Sequence, residues 1–341
     1  TNDFFKEYKD SLIYLERTQA DGKVREGLIG MVDLEDYSYE KDSTTLIRAT
    51  EKTVIERIPP RVKVRENAKL ELPHIMILID DDKKEIIEKL KQKVTEKEKV
   101  YDFDLMKNGG HIKGYVLKDK DANETLTKLE KLADKELFNK KYNLKDKEVL
   151  LFAMGDGNHS LATAKACYEN LKKTMPEDEY LKNPARYALV ELVNLHSPAL
   201  EFEAIHRVLF NVNTKELFKE LEKFYDISYE KTAGQKVDFV TSEKEGTFWI
   251  KNPKSNIPVG SLQLFLDEYL KKHEGKIDYV HGEDVTKELG HKAGNVGFIL
   301  EAMSKNELFK TVTLDGALPR KTFSMGHSND KRYYLEARRI K

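Results

Sequence analysis

The sequence predicts a mixed α/β fold, a mixed sheet with flanking helices, divided into two subdomains. Short apolar blocks such as residues 74–79 and 149–154 are bounded by Pro, Gly or Asp, which is typical of buried strands. Charged stretches between such blocks carry apolar residues at helical spacing, as in residues 83–99 and 124–138. No period of about 20 to 50 residues repeats, so a solenoid is excluded.

The elements follow in order along the chain. Patterns of alternating or continuous apolar residues predict strands at 11–17, 27–33, 74–79, 112–117, 149–154, 187–195, 236–240, 247–250 and 310–314. The length of 187–195 also permits a helix. Amphipathic spacing predicts helices at 83–99, 124–138, 160–173, 216–224, 262–272 and 295–305. The polar stretch 211–234 suggests a boundary, which gives subdomains 1–212 and 213–341. Because a strand pattern begins soon after Thr1, we expect the first subdomain to be truncated at its N-terminus.

Composition narrows the functional classes. The 59 Lys and Arg residues nearly balance the 60 Asp and Glu residues, so no global basic field favours nucleic acid. No apolar run reaches the ~18 residues of a membrane helix. Cys167 is the only cysteine, which excludes an internal disulfide and a cysteine-based zinc site. Together with a start that does not resemble a secretory signal, these features predict a cytoplasmic protein.

The most informative segment is 154–164, Met-Gly-Asp-Gly-Asn-His-Ser-Leu-Ala-Thr-Ala. A buried strand is predicted to turn through Gly155 and Gly157 into a helix, whose first backbone N–H groups form an anion site. Asp156 would bind Mg²⁺ or accept a proton, and His159 would donate to a phosphate oxygen or relay a proton. An ordinary turn capped by a polar side chain of the segment explains the pattern about equally well.

Several blocks in order resemble domain-of-unknown-function family 1015, which is sometimes labelled ParB-like; they are residues 27–33, 46–53, 155–164, 204–208 and 318–323. The Asp-Gly-x-His motif also resembles the signature of the ParB/sulfiredoxin superfamily, often Asp-Gly-His-His-Arg. Here Asn158 stands in place of the first His and Ser160 in place of the Arg. Because Arg binds phosphate as a planar fork, its replacement requires another cation.

The resemblance implies a ParB/sulfiredoxin-like core and a nucleotide at the motif. ParB proteins bind CTP, sulfiredoxins use ATP, and some relatives phosphorylate free serine. The implied cofactors are therefore ATP or ADP, or CTP, with Mg²⁺. The expected catalytic residues are Asp156, His159 and Glu51, with Asp156 also as metal ligand. The expected nucleotide-binding residues are Gly155, Gly157, Asn158, Ser160, Arg48, Arg207, Arg320 and Lys321, the last two from a basic loop of the second subdomain.

Three functions stay open from the sequence. The first is phosphotransfer from a nucleoside di- or triphosphate to a small hydroxyl substrate such as free serine, with nucleotide and substrate as partners. The second is a non-catalytic nucleotide-binding switch of ParB type. The third is a ParB-like DNA-binding protein, which the near-neutral charge disfavours. Whether the chain is an enzyme, and in which oligomeric state it acts, is not decided by the sequence.

Overall fold

The computed structural model describes residues 5–72, 75–326, 328–331 and 334–341. The chain forms two compact units. The first runs to Leu200 and also contains Gly326–Lys341, and the second is Glu201–Met325. The sequence placed a boundary between residues 212 and 213. The observed division comes earlier because residues 202–210 form a strand that pairs only with strands of the second unit.

The strands of the described residues are β1 (Ser11–Thr18), β2 (Val24–Asp33), β3 (Tyr37–Ser38), β4 (Ile47–Arg48), β5 (Leu70–Glu71), β6 (Met76–Ile79), β7 (Lys99–Asp104), β8 (His111–Lys118), β9 (Phe152–Asp156), β10 (Tyr187–Asn194), β11 (Phe202–Phe210), β12 (Ile227–Ser228), β13 (Gln235–Thr241), β14 (Glu245–Ile250), β15 (Lys276–His281), β16 (Val296–Ile299), β17 (Phe323–Met325) and β18 (Arg338–Arg339). The α-helices are α1 (Ile58–Arg65), α2 (Asp119–Lys131), α3 (Lys135–Tyr142), α4 (Asn158–Lys172), α5 (Glu177–Tyr180), α6 (Thr214–Phe224), α7 (Pro258–Leu270), α8 (Glu283–Gly290) and α9 (Leu308–Asp315). These elements confirm the predicted mixed α/β fold.

A mixed sheet organises the first unit, in the order β3-β4-β9-β6-β10-β2-β1-β8-β7. The pairs β3–β4, β4–β9 and β6–β10 are parallel, and the other pairs are antiparallel. All four residues of β6 are buried, as its continuous apolar run predicts. The predicted start of this strand, His74, lies outside the described residues. In β2, Leu28 and Val32 face the main core, while Ile29 packs with Leu15 on the opposite face.

A buried ion pair crosses the middle of this sheet. Arg25 of β2 and Glu191 of β10 are 1% and 0% exposed. Nε of Arg25 donates to Oε1 of Glu191 at 2.9 Å, and Nη2 donates to Oε2 at 3.0 Å. The Tyr334 phenol donates to Oε2 at 2.8 Å, and the Asp330 carbonyl accepts from Nη1 of Arg25. Gly27 leaves room for this carboxylate, because an added Cβ would lie 2.6 Å from Oε1.

The second unit has its own sheet, in the order β12-β14-β13-β16-β11-β15, and β17 pairs with residues 202–204 of β11. Residues 242–244 join β13 to β14, and Gly246 lies within β14 opposite Phe239. Helix α6 begins after Asn213, whose Oδ1 accepts from the Glu216 amide at 3.1 Å. No helix in the described part of the chain has the length and apolar character to cross a membrane.

Four sequence predictions of elements were wrong. Residues 83–99 form turns and a short 3₁₀ segment, because the Asp81 carboxylate accepts from the amides of Glu85 and Ile86 at 2.7 and 2.8 Å. Residues 124–138 divide into α2 and α3, where Asp134 caps the second helix. Residues 295–305 contain the buried strand β16, and 310–314 lie in helix α9.

Candidate functional site

The turn from β9 into α4 takes the form that its glycines predict. Gly157 has φ +85° and ψ 23°, a left-handed conformation that favours glycine. Its amide donates to Oδ1 of Asp156 at 2.7 Å. Its carbonyl accepts from the amides of Ser160 at 2.8 Å and Leu161 at 3.0 Å. The amides of Gly157 and Ser160 are therefore already occupied, so the anion cradle offers fewer backbone donors than the sequence predicts.

A second segment, distant in sequence, lies against this turn. Strand β4 runs parallel to β9, with Arg48 paired to Ala153. Beyond it, the Thr50 hydroxyl donates to the Met154 carbonyl at 2.7 Å. The Val54 amide donates to Nε2 of His159 at 3.3 Å. The structure thus brings residues 50–54 and 155–159 together, and we call the two segments the α4 corner. Glu51 lies within it.

The hydrogen bond from Val54 fixes the state of His159. Because Nε2 accepts a proton donor, a neutral ring carries its proton on Nδ1. The backbone carbonyl of His159 accepts from the Thr163 hydroxyl at 2.6 Å, which secures the first turn of α4. His159 is therefore oriented by its neighbours.

Two buried oxygen atoms in the α4 corner lack a hydrogen-bond partner among the described residues. They are Oγ1 of Thr53 and Oδ1 of Asn158. Thr53 is 6% exposed. A buried hydroxyl or amide oxygen without a partner costs about 1 to 3 kcal/mol, so such atoms are usually satisfied by water or a ligand. Each atom comes from a different segment of the corner, so a water molecule or a polar ligand bound there would give both atoms a partner.

A cation that the sequence did not indicate contacts the α4 corner. Lys331 ends the short 3₁₀ segment Ser328–Lys331, and its Nζ lies 2.9 Å from Oδ2 of Asp156. Both residues belong to the first unit. Lys331 lies in a charged segment without a recognisable motif. Its place beside Asp156 results from residues 326–341 returning to the first unit, which the local sequence does not indicate.

Arg48 precedes the first segment of the α4 corner, but its guanidinium group donates to backbone carbonyls. Nε donates to the carbonyl of Thr45 at 2.7 Å, and Nη2 donates to the carbonyls of Thr44, Glu148 and Val149 at 3.1, 3.1 and 2.7 Å. The side chain is buried, and burial lowers the pKa of Arg48 to about 10. These contacts indicate a structural role in joining β4 to the segment before β9.

The other predicted cations belong to the second unit. Arg207 is fully buried and donates to Gln263 at 3.2 Å and to the carbonyls of Ile205 and Arg320. The guanidinium groups of Arg207 and Arg320 lie 5.3 and 5.8 Å from the centre of the Tyr279 ring. Lys321 is exposed, with φ +60°. Arg207 is thus held by its own unit through three acceptors and a ring.

The donor set does not fit a protein-bound Mg²⁺ ion at Asp156. Within the described residues, no three His, Cys, Asp or Glu side chains group in a way that could hold a metal ion. Asp156 instead faces Lys331, whose ammonium group competes with a cation for its carboxylate. The α4 corner fits a phosphate-bearing or hydroxyl-bearing ligand better than a metal ion.

The family described as "Protein of unknown function (DUF1015)" matches residues 1–269. No curated protein matches the chain.

Solved structures with similar folds share little sequence with the chain. A free serine kinase in complex with AMP has a TM-score of 0.47 and 10% identity, covering 92% of this chain and 91% of that chain. A conserved hypothetical protein from Pyrococcus furiosus has a TM-score of 0.44 and 10% identity, with coverage of 92% and 95%. SbnI from Staphylococcus aureus, truncated at its C-terminus, has a TM-score of 0.44 and 9% identity, with coverage of 88% and 83%.

Proposed function

The chain belongs to the DUF1015 family of proteins of unknown function, and we propose that it binds a nucleotide at the α4 corner and transfers a phosphoryl group to a small hydroxyl substrate. ATP or ADP is the proposed donor, and free serine is the most concrete acceptor, as the motif's resemblance to the ParB/sulfiredoxin superfamily implies. The observation that carries the proposal is the pair of buried, unpartnered oxygens of Thr53 and Asn158 at the start of α4.

The first part of the proposal is binding. The N-terminal end of α4 attracts negative charge, and left-handed Gly157 leaves the backbone accessible there. The Thr53 hydroxyl would donate to a phosphate oxygen. The Asn158 carbonyl oxygen would accept from a hydroxyl group of the ligand, and its amide nitrogen would donate if the side chain turned over. Both groups would thereby gain the partners that they lack.

The second part is catalysis, which in phosphoryl transfer depends mainly on positioning and charge. The nucleotide supplies the phosphoryl group. Glu51 would accept the proton of the substrate hydroxyl, and His159 would donate to a phosphate oxygen. Lys331 would neutralise charge that develops on the phosphoryl group, in the role of the arginine that Ser160 replaces. Arg48 has no part in this proposal, because its guanidinium group is held by carbonyls.

A non-catalytic nucleotide-binding switch is the second candidate. It is favoured by Asn158 and Ser160, which replace a histidine and an arginine of the signature, and by the contact that ties Asp156 to Lys331. Both candidates share the binding step and differ only in whether a phosphoryl group leaves the nucleotide.

Calorimetry with ATP, ADP and CTP on the full chain tests the shared step. We expect binding by the unaltered protein and a loss of about ten-fold in affinity for Thr53→Val, because one hydrogen bond to a charged group is worth about 1.5 to 3 kcal/mol. Thr125→Val is the matched control, since Thr125 is also buried but bonds to the Asp121 carbonyl of α2. If none of the nucleotides binds, both candidates are wrong.

Turnover separates the two candidates. Incubation with ATP or ADP, Mg²⁺ and serine should yield phosphoserine, detected by mass spectrometry. Glu51→Gln should keep nucleotide affinity and lose turnover, because it retains the shape of the side chain and removes the base. Binding without transfer to serine or other hydroxyl acceptors would establish the switch instead.

A further inference from the structure

A hollow of about 350 Å³ opens in the first unit, and none of residues 50–54 or 155–159 lines it. Its walls come from the main-core face of the large sheet, from Leu126 and Leu129 of α2, and from Ala133 just after that helix. Apart from three carboxylates, every lining side chain is apolar or absent as in glycine. The volume lies at the lower end of the range of about 300 to 1,000 Å³ that small-molecule sites occupy.

Two small residues line the hollow. Gly30 lies between Leu28 and Val32 of β2, which face the main core, and a Cβ added there would lie 2.9 Å from Cδ2 of Leu12, which also lines the hollow. The partner of Gly30 on β10 is Val190, another lining residue. The second small residue is Ala133, just beyond the end of α2.

The charge of the lining is negative. Asp33, Asp36 and Glu130 line the hollow, and no Lys, Arg or His does. Asp33 is engaged by Arg186, whose Nη2 lies 2.6 Å from Oδ2. Asp36 and Glu130 are exposed at the rim and form no ion pair with any other described residue. Burial and the neighbouring Asp33 carboxylate raise the pKa of the Asp36 carboxyl, and Arg186 and Lys165 offset this only in part.

We propose that this hollow binds a small molecule with an apolar body and one cationic head group, such as an alkylammonium compound. The apolar walls would bury the body, and Asp36 and Glu130 would face the head group. A carboxylate or phosphate ligand would meet three carboxylates and no cation among the lining residues. This proposal does not rest on the function assigned to the α4 corner.

Three probes of equal chain length test the proposal by calorimetry on the full chain: octylammonium, octanol and octanoate. Octylammonium should bind most tightly, octanol less tightly and octanoate least. The double variant Asp36→Asn, Glu130→Gln should lower octylammonium affinity about five-fold, as two exposed charge pairs imply, and leave octanol unchanged. Glu40→Gln, at an exposed residue that does not line the hollow, is the matched control.

A filling variant tests the place of binding. Ala133→Leu should abolish binding of octylammonium and octanol with an unchanged thermal unfolding midpoint. The proposal is overturned if octanoate binds as tightly as octylammonium, if no probe binds, or if a folded Ala133→Leu protein binds normally. It is also overturned if sedimentation shows a dimer that this variant dissociates, since a second copy would then be the occupant. If Ala133→Leu unfolds, the octylammonium affinity of the double variant Asp36→Asn, Glu130→Gln still tests the proposal.

Discussion

His111 shows how a single side chain can make stability depend on pH. It begins β8, and its two ring nitrogens lie 2.6 Å from Oδ1 of Asp104 and 2.7 Å from Oδ1 of Asp102, both in β7. Two acceptors require two N–H donors, so the imidazolium form is favoured. These hydrogen bonds raise the pKa of His111 above its ordinary value of 6.5, and they lower the pKa of Asp102.

The sign of the pH dependence follows from the raised pKa. The stabilisation is complete below the unfolded-state pKa of about 6.5 and is lost as pH rises through the folded-state pKa. Thermal unfolding measured from about pH 5.5 to 8 should show this loss as a small decrease in the midpoint, because the ring is 33% exposed. His111→Gln should flatten that decrease. His281→Gln, at a histidine 3.8 Å from its carboxylate, should not, and an unchanged slope in His111→Gln would contradict the assignment.

The candidate site was partly predictable residue by residue. The segment around Asp156 was singled out from its residue types and the segment around Glu51 from the family resemblance, and the structure brings the two together through Thr50 and His159. The structural use of Arg48 could not be predicted, because its carbonyl acceptors come partly from residues about 100 positions away. Lys331 was missed for the same reason, since its position depends on contacts that are distant in the sequence.

At the scale of elements, a substitution in the turn before α4 tests whether the backbone there positions the nucleotide-binding residues of the α4 corner. Gly157→Ala places a Cβ on a left-handed residue, which costs about 1 to 2 kcal/mol in the free energy of unfolding. The displaced turn should also carry Asn158 and His159 away from their positions and lower nucleotide affinity, measured by calorimetry beside chemical denaturation.

Gly22→Ala is the matched control for that variant. Gly22 has nearly the same φ, +83°, with no atom within 4 Å of an added Cβ. It should lose a similar amount of stability and keep nucleotide affinity. Equal affinity in both variants would show that the turn does not support the ligand.

Two of the wrong element predictions have identifiable physical causes. Residues 296–299 contain a glycine and adjoin polar residues, yet all four are buried between β11 and β13. Residues 83–99 keep their predicted apolar contacts, with Ile86, Ile87 and Leu90 in the main core. Apolar spacing indicated which side chains are buried, and the carboxylate of Asp81 then decided the backbone path.

At the scale of the whole molecule, the second unit should fold by itself. Its first and last strands pair in antiparallel register, with Phe202 opposite Met325. Paired Cα atoms lie about 5 Å apart, so the two ends of this unit are adjacent. It also has its own sheet and buried side chains such as Phe248 and Phe298. A fragment of residues 201–325 should therefore unfold cooperatively on heating, followed by circular dichroism.

A fragment of residues 213–341, cut at the boundary suggested by the sequence, is the comparison. It lacks β11, which joins β15, β16 and β17, so we expect no cooperative transition. The polar stretch 211–234 that suggested this boundary contains α6 and β12 instead. Local composition could not reveal that the chain leaves one unit and later returns to it. If the two fragments behaved alike, the observed division would not reflect independent folding.

That return of the chain has a consequence for synthesis on the ribosome. Residues 201–325 are translated before residues 326–341, so the second unit can fold while the first is still incomplete. Until the final segment emerges, the guanidinium group of Arg25 lacks the carbonyl of Asp330, and Glu191 lacks the phenol of Tyr334. In the nascent first unit, the buried ion pair of Arg25 and Glu191 therefore stays incompletely hydrogen-bonded until residues 326–341 have been translated.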